Sequence, residues 1–197
     1  MRPRMIIVAG PPGSGKSTLF PVSSFGVDFF NADDRAATLN NGSYLDIPME
    51  IRARVNREFE AFVGDHISAR QSFALETTLR SQITFLQARA ARKQGFRIEM
   101  FYVALREFGV NITRVASRAQ SGGHAAPREV LLEIYTASLG HLVEAIRTVD
   151  AIDVRDNSEP GARPRKLLEA LSGRVTYCVP NPPAWLVQAL SGSEFAM

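Results

Sequence analysis

The segment Gly10-Pro11-Pro12-Gly13-Ser14-Gly15-Lys16-Ser17-Thr18 constrains this chain more than any other. It directly follows the apolar run Met5-Ile6-Ile7-Val8-Ala9. The pattern is G-x-x-x-x-G-K-[ST], in the context it requires: a buried strand, a Gly-rich turn and a helix start. Glycines let backbone N–H groups converge on an anion without a Cβ in the way. The helix that follows aims its positive end at the same place. In such a loop Lys16 reaches the β- and γ-phosphates of a nucleotide, and the Ser17 hydroxyl ligates Mg²⁺. A chain of this length matches the four fixed positions by chance about once in a hundred, and the preceding strand lowers that further. Gly10 to Thr18 are therefore the candidate nucleotide-binding residues, with Lys16 also catalytic.

The rest of the chain is compatible with one α/β domain built around that loop. It has 197 residues, 45% hydrophobic and 22% charged, with a formal net charge of +3. Those values allow a sizeable core. The cations are almost all arginine, with Lys16, Lys93 and Lys166 the only lysines. Arginine's planar fork suits phosphate and carboxylate. No basic block or basic–aromatic stripe is present, so nucleic acid is not an expected partner. Cys178 is the single cysteine, which excludes an intramolecular disulfide and fits a reducing compartment. No run of 18 apolar residues marks a membrane span. The basic start Arg2-Pro3-Arg4 precedes only five apolar residues, too few for an export signal. A cytoplasmic location is expected.

Strands and helices alternate along the chain, which implies a mostly parallel sheet of five or six strands in a three-layer, P-loop-type sandwich. Expected strands are Met5–Ala9, Val27–Asn31, Ser72–Glu76, Ile98–Leu105, Ala151–Arg155 and Val175–Val179. Expected helices are Gly15–Phe20 (cut by Pro21), Met49–Arg70, Ile83–Gln94, Val110–Ala119, Pro127–Val149, Arg165–Leu171 and Trp185–Leu190. Residues 180–197 form a terminal appendage with a frayed end. Residues 114–127 form a lid around Gly122-Gly123.

Three further clusters carry candidate chemistry. Asp33 and Asp34 follow the second strand, at the edge where ligands gather in open α/β sheets. A carboxylate there can accept the proton of an attacking hydroxyl; Asp is equally a favoured helix N-cap. Asp33 is expected at the site and Asp34 in the first helical turn. The third strand ends in Glu76-Thr77-Thr78-Leu79-Arg80. Alternation puts Glu76 and Thr78 on one side, with Arg80 following if the chain stays extended. These three could grip a polar substrate, or Thr78 could cap a helix. Arg114 and Arg118 share one helix face just before the Gly-hinged loop. They have the layout of lid arginines that stabilise a transferring phosphoryl group; a solvated basic face has the same spacing. His124, alone in that loop, signals little.

Taken together, the segments 10–18, 30–34, 75–80 and 114–127 resemble the zeta-toxin family of P-loop kinases over residues 5–160. The E-x-T-x-R pattern after Asp33 is the discriminating part. The resemblance implies ATP and Mg²⁺ as cofactors and a small-molecule hydroxyl acceptor. In that family the acceptor is the 3′-hydroxyl of UDP-N-acetylglucosamine and related UDP-sugars, and the product poisons cell-wall synthesis. By position it implies Lys16 as the loop lysine and Ser17 as metal ligand. Asp33 takes the place of the base, and Glu76, Thr78 and Arg80 that of the sugar-nucleotide grip. Arg114 is the first nucleotide-contacting arginine. The second family arginine falls near His124, with Arg118 as a substitute; a neutral imidazole does not replace a permanent cation. In a compact branch of the family the Asp156-Asn157-Ser158 turn borders the adenine. ATP rather than GTP, and an antitoxin that blocks the ATP site, are further family expectations.

Other readings compete. One is a gluconate-, shikimate- or nucleoside-type kinase with the same roles for Lys16 and Asp33. Another is a nucleotide-binding regulatory module without metabolite transfer. A third is an RNA or polynucleotide kinase, which the mild charge does not favour. No Walker B run stands out; Glu76 after Phe73-Ala74-Leu75 comes nearest.

Overall fold

The run Met5–Ala9 has no solvent exposure at any position, the mark of a strand covered on both faces inside a parallel sheet. In a computed structural model it forms the centre of β1 (Arg4–Ala9). The structure describes residues 2–120, 126–159 and 161–196, those at 118–120 by their backbone. The other strands are β2 (Asp28–Phe30), β3 (Phe73–Thr77), β4 (Arg97–Ala104), β5 (Ala151–Asp156), β6 (Arg165–Leu171) and β7 (Arg174–Cys178). They form one seven-stranded sheet of order β2-β3-β1-β4-β5-β6-β7. The first five in that order run parallel, and β6 and β7 continue the sheet antiparallel.

The helices are α1 (Lys16–Leu19), α2 (Ala32–Leu39), α3 (Met49–Ala69), α4 (Ile83–Lys93), α5 (Phe108–Gln120), α6 (Arg128–Gly140), α7 (Leu142–Thr148) and α8 (Ala184–Leu190). Apolar faces of α3, α4, α7 and α8 meet Met5, Ile7, Phe73, Leu75, Ile98, Met100, Ile152 and Leu168 in the main core. The opposite sheet face, at Ile6, Val8 and Ala74, is covered by Val22 and by Phe20 and Phe25 around a 3-10 turn. Helical segments thus flank both faces, unequally. No helix among the described residues is long and apolar enough to cross a membrane.

Three expectations are corrected. Arg165–Leu171 is a strand, not a helix. Its leucines mimic helical spacing, but Leu168 and Ala170 turn into the core while the backbone pairs with β5. Leu171 faces Arg174 across a two-residue loop in which Ser172 (φ 48°) and Gly173 (φ 74°) are both left-handed, the hairpin turn that matches strand twist. This strand brings the sheet to seven. The expected helix Pro127–Val149 is two: α6 ends after Gly140, and His141 (φ −88°, ψ 0°) joins it to α7. Among the described residues the C-terminal segment is packed rather than frayed, with Phe195 buried and Glu194 paired with Arg147.

The parallel register sets the site. Val8 and Ala9 lie level with Glu76 and Thr77 of β3, and Phe30 lies level with Leu75. Ala104 and Asp156 end β4 and β5 side by side. The segments leaving β1, β2, β3, β4 and β5 therefore emerge along one C-terminal edge, with β1 at the point where strand order reverses.

Candidate active site

The Gly10–Thr18 loop leaves β1 and is held from several sides. Gly10 sits at φ 141°, and a Cβ there would lie 2.0 Å from the Val103 carbonyl oxygen of β4. Gly15 (φ 84°) has the Asn157 amide 2.4 Å from where its Cβ would be. At both places a side chain is excluded by backbone conformation and by space. Asn157, just past β5, donates from Nδ2 to the Ser14 carbonyl at 2.9 Å. Asn111, on α5 and 2% exposed, donates to the Pro12 carbonyl at 2.7 Å. Two amides thus strap the loop from two different elements.

Glu76 closes the loop from the β3 side. Ser17 Oγ donates to Glu76 Oε1 at 3.0 Å, and Lys16 Nζ lies 3.5 Å from the same oxygen. The Lys16 and Glu76 side chains are each 10% exposed. Glu76 Oε2 and Ser14 Oγ are buried with no hydrogen-bond partner. Buried polar atoms without partners are costly. A loop with a sunken ammonium, a carboxylate and two orphaned oxygens fits a phosphate group and a divalent cation: Ser17 Oγ and Glu76 are hard oxygen donors, and Lys16 is the counter-charge for phosphate.

The residues expected on the acceptor side are placed differently. Asn31 caps α2, its Oδ1 accepting from the Asp33 and Asp34 amides at 3.0 and 3.3 Å. Both aspartates are in the first turn. The Asp34 carboxylate accepts from Tyr44 Oη at 2.8 Å; the exposed Asp33 carboxylate has no partner among the described residues. Glu58 on α3 anchors the helix that carries it, accepting from Arg35 at 2.6 and 3.2 Å and from Arg54 at 2.8 Å. Those guanidinium hydrogen bonds hold the Glu58 carboxyl at about 2.

Past Glu76 the chain does not stay extended. Leu79 turns left-handed at φ 56° with its side chain fully buried, so Arg80 does not follow Glu76 and Thr78 by simple alternation. Thr78 is half-buried and Arg80 exposed. Arg114 on α5 donates to the Ser158 carbonyl at 3.4 Å, which ties that helix to the turn after β5. There the buried Asp156 accepts from the Ser158 amide at 2.8 Å. Arg118 lies on α5, its side chain outside the described residues; His124 and the Gly122-Gly123 hinge lie outside them entirely.

The structure thus brings Gly10–Thr18, Glu76 and Asn157 into contact, with Arg114 of α5 tied to the turn that carries Asn157. Glu76 meets the loop lysine and serine directly, rather than standing apart with Thr78 and Arg80. Asn157 straps the loop through its side chain. Asn111 escaped sequence reading; one asparagine at the start of a helix carries no local signal.

Residues 51–159, more than half of the chain, match the family model of the zeta toxin. The match takes in Glu76 to Arg80, Arg114 and Asn157. An uncharacterised protein of Haemophilus influenzae is 24% identical over 132 residues, 66% of this chain and 91% of that protein. Among solved structures, a chain of the AvrRxo1-ORF1:ORF2 complex with ATP superposes with a TM-score of 0.69 at 15% identity, over 89% of this chain and 60% of that one. This protein therefore spans 60% of that relative's length. A chain of the PezAT chromosomal toxin–antitoxin system of Streptococcus pneumoniae superposes at 0.58 and 14% identity, over 79% and 69%. At such identities the superpositions speak for the fold.

Proposed function

The chain belongs to the zeta-toxin family of P-loop kinases, and on that premise we propose that it transfers the γ-phosphoryl group of ATP to a hydroxyl of a UDP-sugar such as UDP-N-acetylglucosamine. We take residues 1–197 as one kinase domain working in the cytoplasm. The observation that carries the reading is the contact of Lys16 and Ser17 with Glu76 on a loop strapped at Pro12 and Ser14. The neighbour crystallised with ATP supports the choice of donor.

In this mechanism the loop seats the phosphates and Lys16 offsets their negative charge. Ser17 and Glu76 are the residues that would hold Mg²⁺, which when bound neutralises charge on the β- and γ-oxygens. Thr78 and Arg80 orient the acceptor. The Asp33 carboxylate takes the proton of the acceptor hydroxyl as its oxygen bonds to the γ-phosphorus and the bond to the β-phosphate oxygen breaks, leaving ADP. Arg114 and Arg118 offset charge on the moving group, with His124 as a further candidate for nucleotide binding. The Asp156-Asn157-Ser158 turn borders the base. Positioning in such sites contributes up to about 7–11 kcal/mol. An antitoxin is the partner this family reading supplies, as in the toxin–antitoxin neighbour; covering the ATP site is its simplest mode of action.

Incubation with ATP, Mg²⁺ and UDP-N-acetylglucosamine should give a product heavier by one phosphoryl group in mass spectrometry. Asp33→Ala should lower its rate by about 10²–10⁴-fold. Intact ATP binding with no UDP-sugar product would move the acceptor to another metabolite.

A further inference from the structure

Leu79 is a bulky residue held in a conformation it disfavours. Left-handed backbone is disfavoured for a residue that carries a Cβ, so the surroundings must impose it. Three restraints are visible. The side chain is fully buried in the main core. Its amide donates to Thr77 Oγ1 at 3.1 Å. Its carbonyl accepts from His141 Nδ1 at 2.8 Å.

The first two restraints come from the strand's own segment and the core it joins. The third comes from 62 residues away. His141 sits at the break between α6 and α7, serving as C-cap of one helix and N-cap of the other. The ring also packs edge-on against Phe85 of α4, with centroids 5.6 Å apart and planes at 68°. A carbonyl accepts only from a protonated ring nitrogen, so Nδ1 carries hydrogen here. The interaction falls between Thr78 and Arg80, on the one residue whose ψ decides where Arg80 goes.

We infer that His141 is a positioning residue for the acceptor: its Nδ1–H locks the left-handed Leu79 turn and thereby sets Thr78 and Arg80 on the acceptor side of the loop. The inference rests on the reading of Thr78 and Arg80 as the acceptor grip. His141 touches neither the nucleotide loop nor the acceptor; it acts through the Leu79 carbonyl.

The test uses His141→Ala, His141→Asn and His141→Gln in the full chain. The amide of Asn puts a donor close to the Nδ1 position, and that of Gln puts it near Nε2. His141→Ala should speed backbone hydrogen exchange at residues 78–80 by about tenfold, the worth of one lost hydrogen bond, with Phe73–Leu75 unchanged. It should raise the KM for UDP-N-acetylglucosamine by about the same factor while ATP affinity stays within about twofold. His141→Asn should restore both readouts and His141→Gln neither. Wild-type exchange at 78–80 in His141→Ala, or equal rescue by Gln and Asn, would overturn the inference. Thr78→Ala and Arg80→Ala run alongside. If neither moves the acceptor KM, or the wild type gives no UDP-sugar product, the acceptor reading fails, and exchange at 78–80 decides the His141 lock by itself.

Discussion

The phosphate loop and the rim proposed for the acceptor share one sheet edge but are built on opposite terms. Around the loop, Asn111 and Asn157 each hold a carbonyl, Glu76 meets Lys16 and Ser17, and β4 leaves no room for a Cβ at Gly10. On the rim, the Asp33 carboxylate and the Arg80 guanidinium are exposed and have no partner among the described residues. What is fixed there is backbone: α2 through Asn31 and Glu58, and the Leu79 turn through His141. The loop is held down to its side chains. The rim has its main chain set and leaves the Asp33 and Arg80 side chains exposed.

That contrast can be broken most violently at Gly10. Gly10→Ala puts a methyl against the Val103 carbonyl in a backbone region L-residues avoid. It should destabilise the fold by on the order of 3 kcal/mol and remove ATP binding, as read by thermal melting with and without nucleotide. Glu76→Gln keeps shape and removes charge beside Ser17. The Mg²⁺ concentration for half-maximal transfer should rise by about 10–100-fold, the range for loss of a group that orders a metal site; an unchanged Mg²⁺ requirement would return Glu76 to the acceptor grip.

Smaller effects sharpen the same comparison. Asn157→Ala removes one strap and should weaken ATP binding by about tenfold, with acceptor KM unaffected. The smallest effect is expected from pH on the acceptor side. The Glu58 carboxyl is lowered from 4.5 to about 2 by its hydrogen bonds to Arg35 and Arg54. Its contribution is full above the unfolded value and is lost as pH falls from 4.5 toward 2. Amide protection in α2, measured relative to the intrinsic exchange rate at each pH, should fall through that window, and Glu58→Gln should flatten the change. Exchange around the phosphate loop should not follow it.

The donor half was legible because its chemistry is local: five apolar residues, three glycines and a lysine in one stretch specify strand, turn and anion contact together. The positions of Glu76 near the end of β3 and of Asp33 just past β2 were legible as well. The straps were not, because Asn111 and Asn157 lie 99 and 143 residues from the carbonyls they hold. The left-handed Leu79 was hidden for the same reason, since core packing and His141 override a leucine's own preference. The misread strand Arg165–Leu171 shows tertiary pairing overruling a helical spacing of leucines. Its turn had a local sign in Ser172-Gly173, where both residues adopt positive φ.

The proposed mechanism divides the labour, with nucleotide held by the loop and the acceptor proton taken by Asp33. Calorimetric titration of ATP·Mg²⁺ into the wild type, Lys16→Ala and Asp33→Ala, each also assayed for phosphoryl transfer, tests it most directly. The account predicts that Lys16→Ala loses binding and transfer together, while Asp33→Ala binds ATP with wild-type affinity and loses transfer alone. Loss of ATP binding in Asp33→Ala would contradict it and make Asp33 part of the nucleotide or metal site.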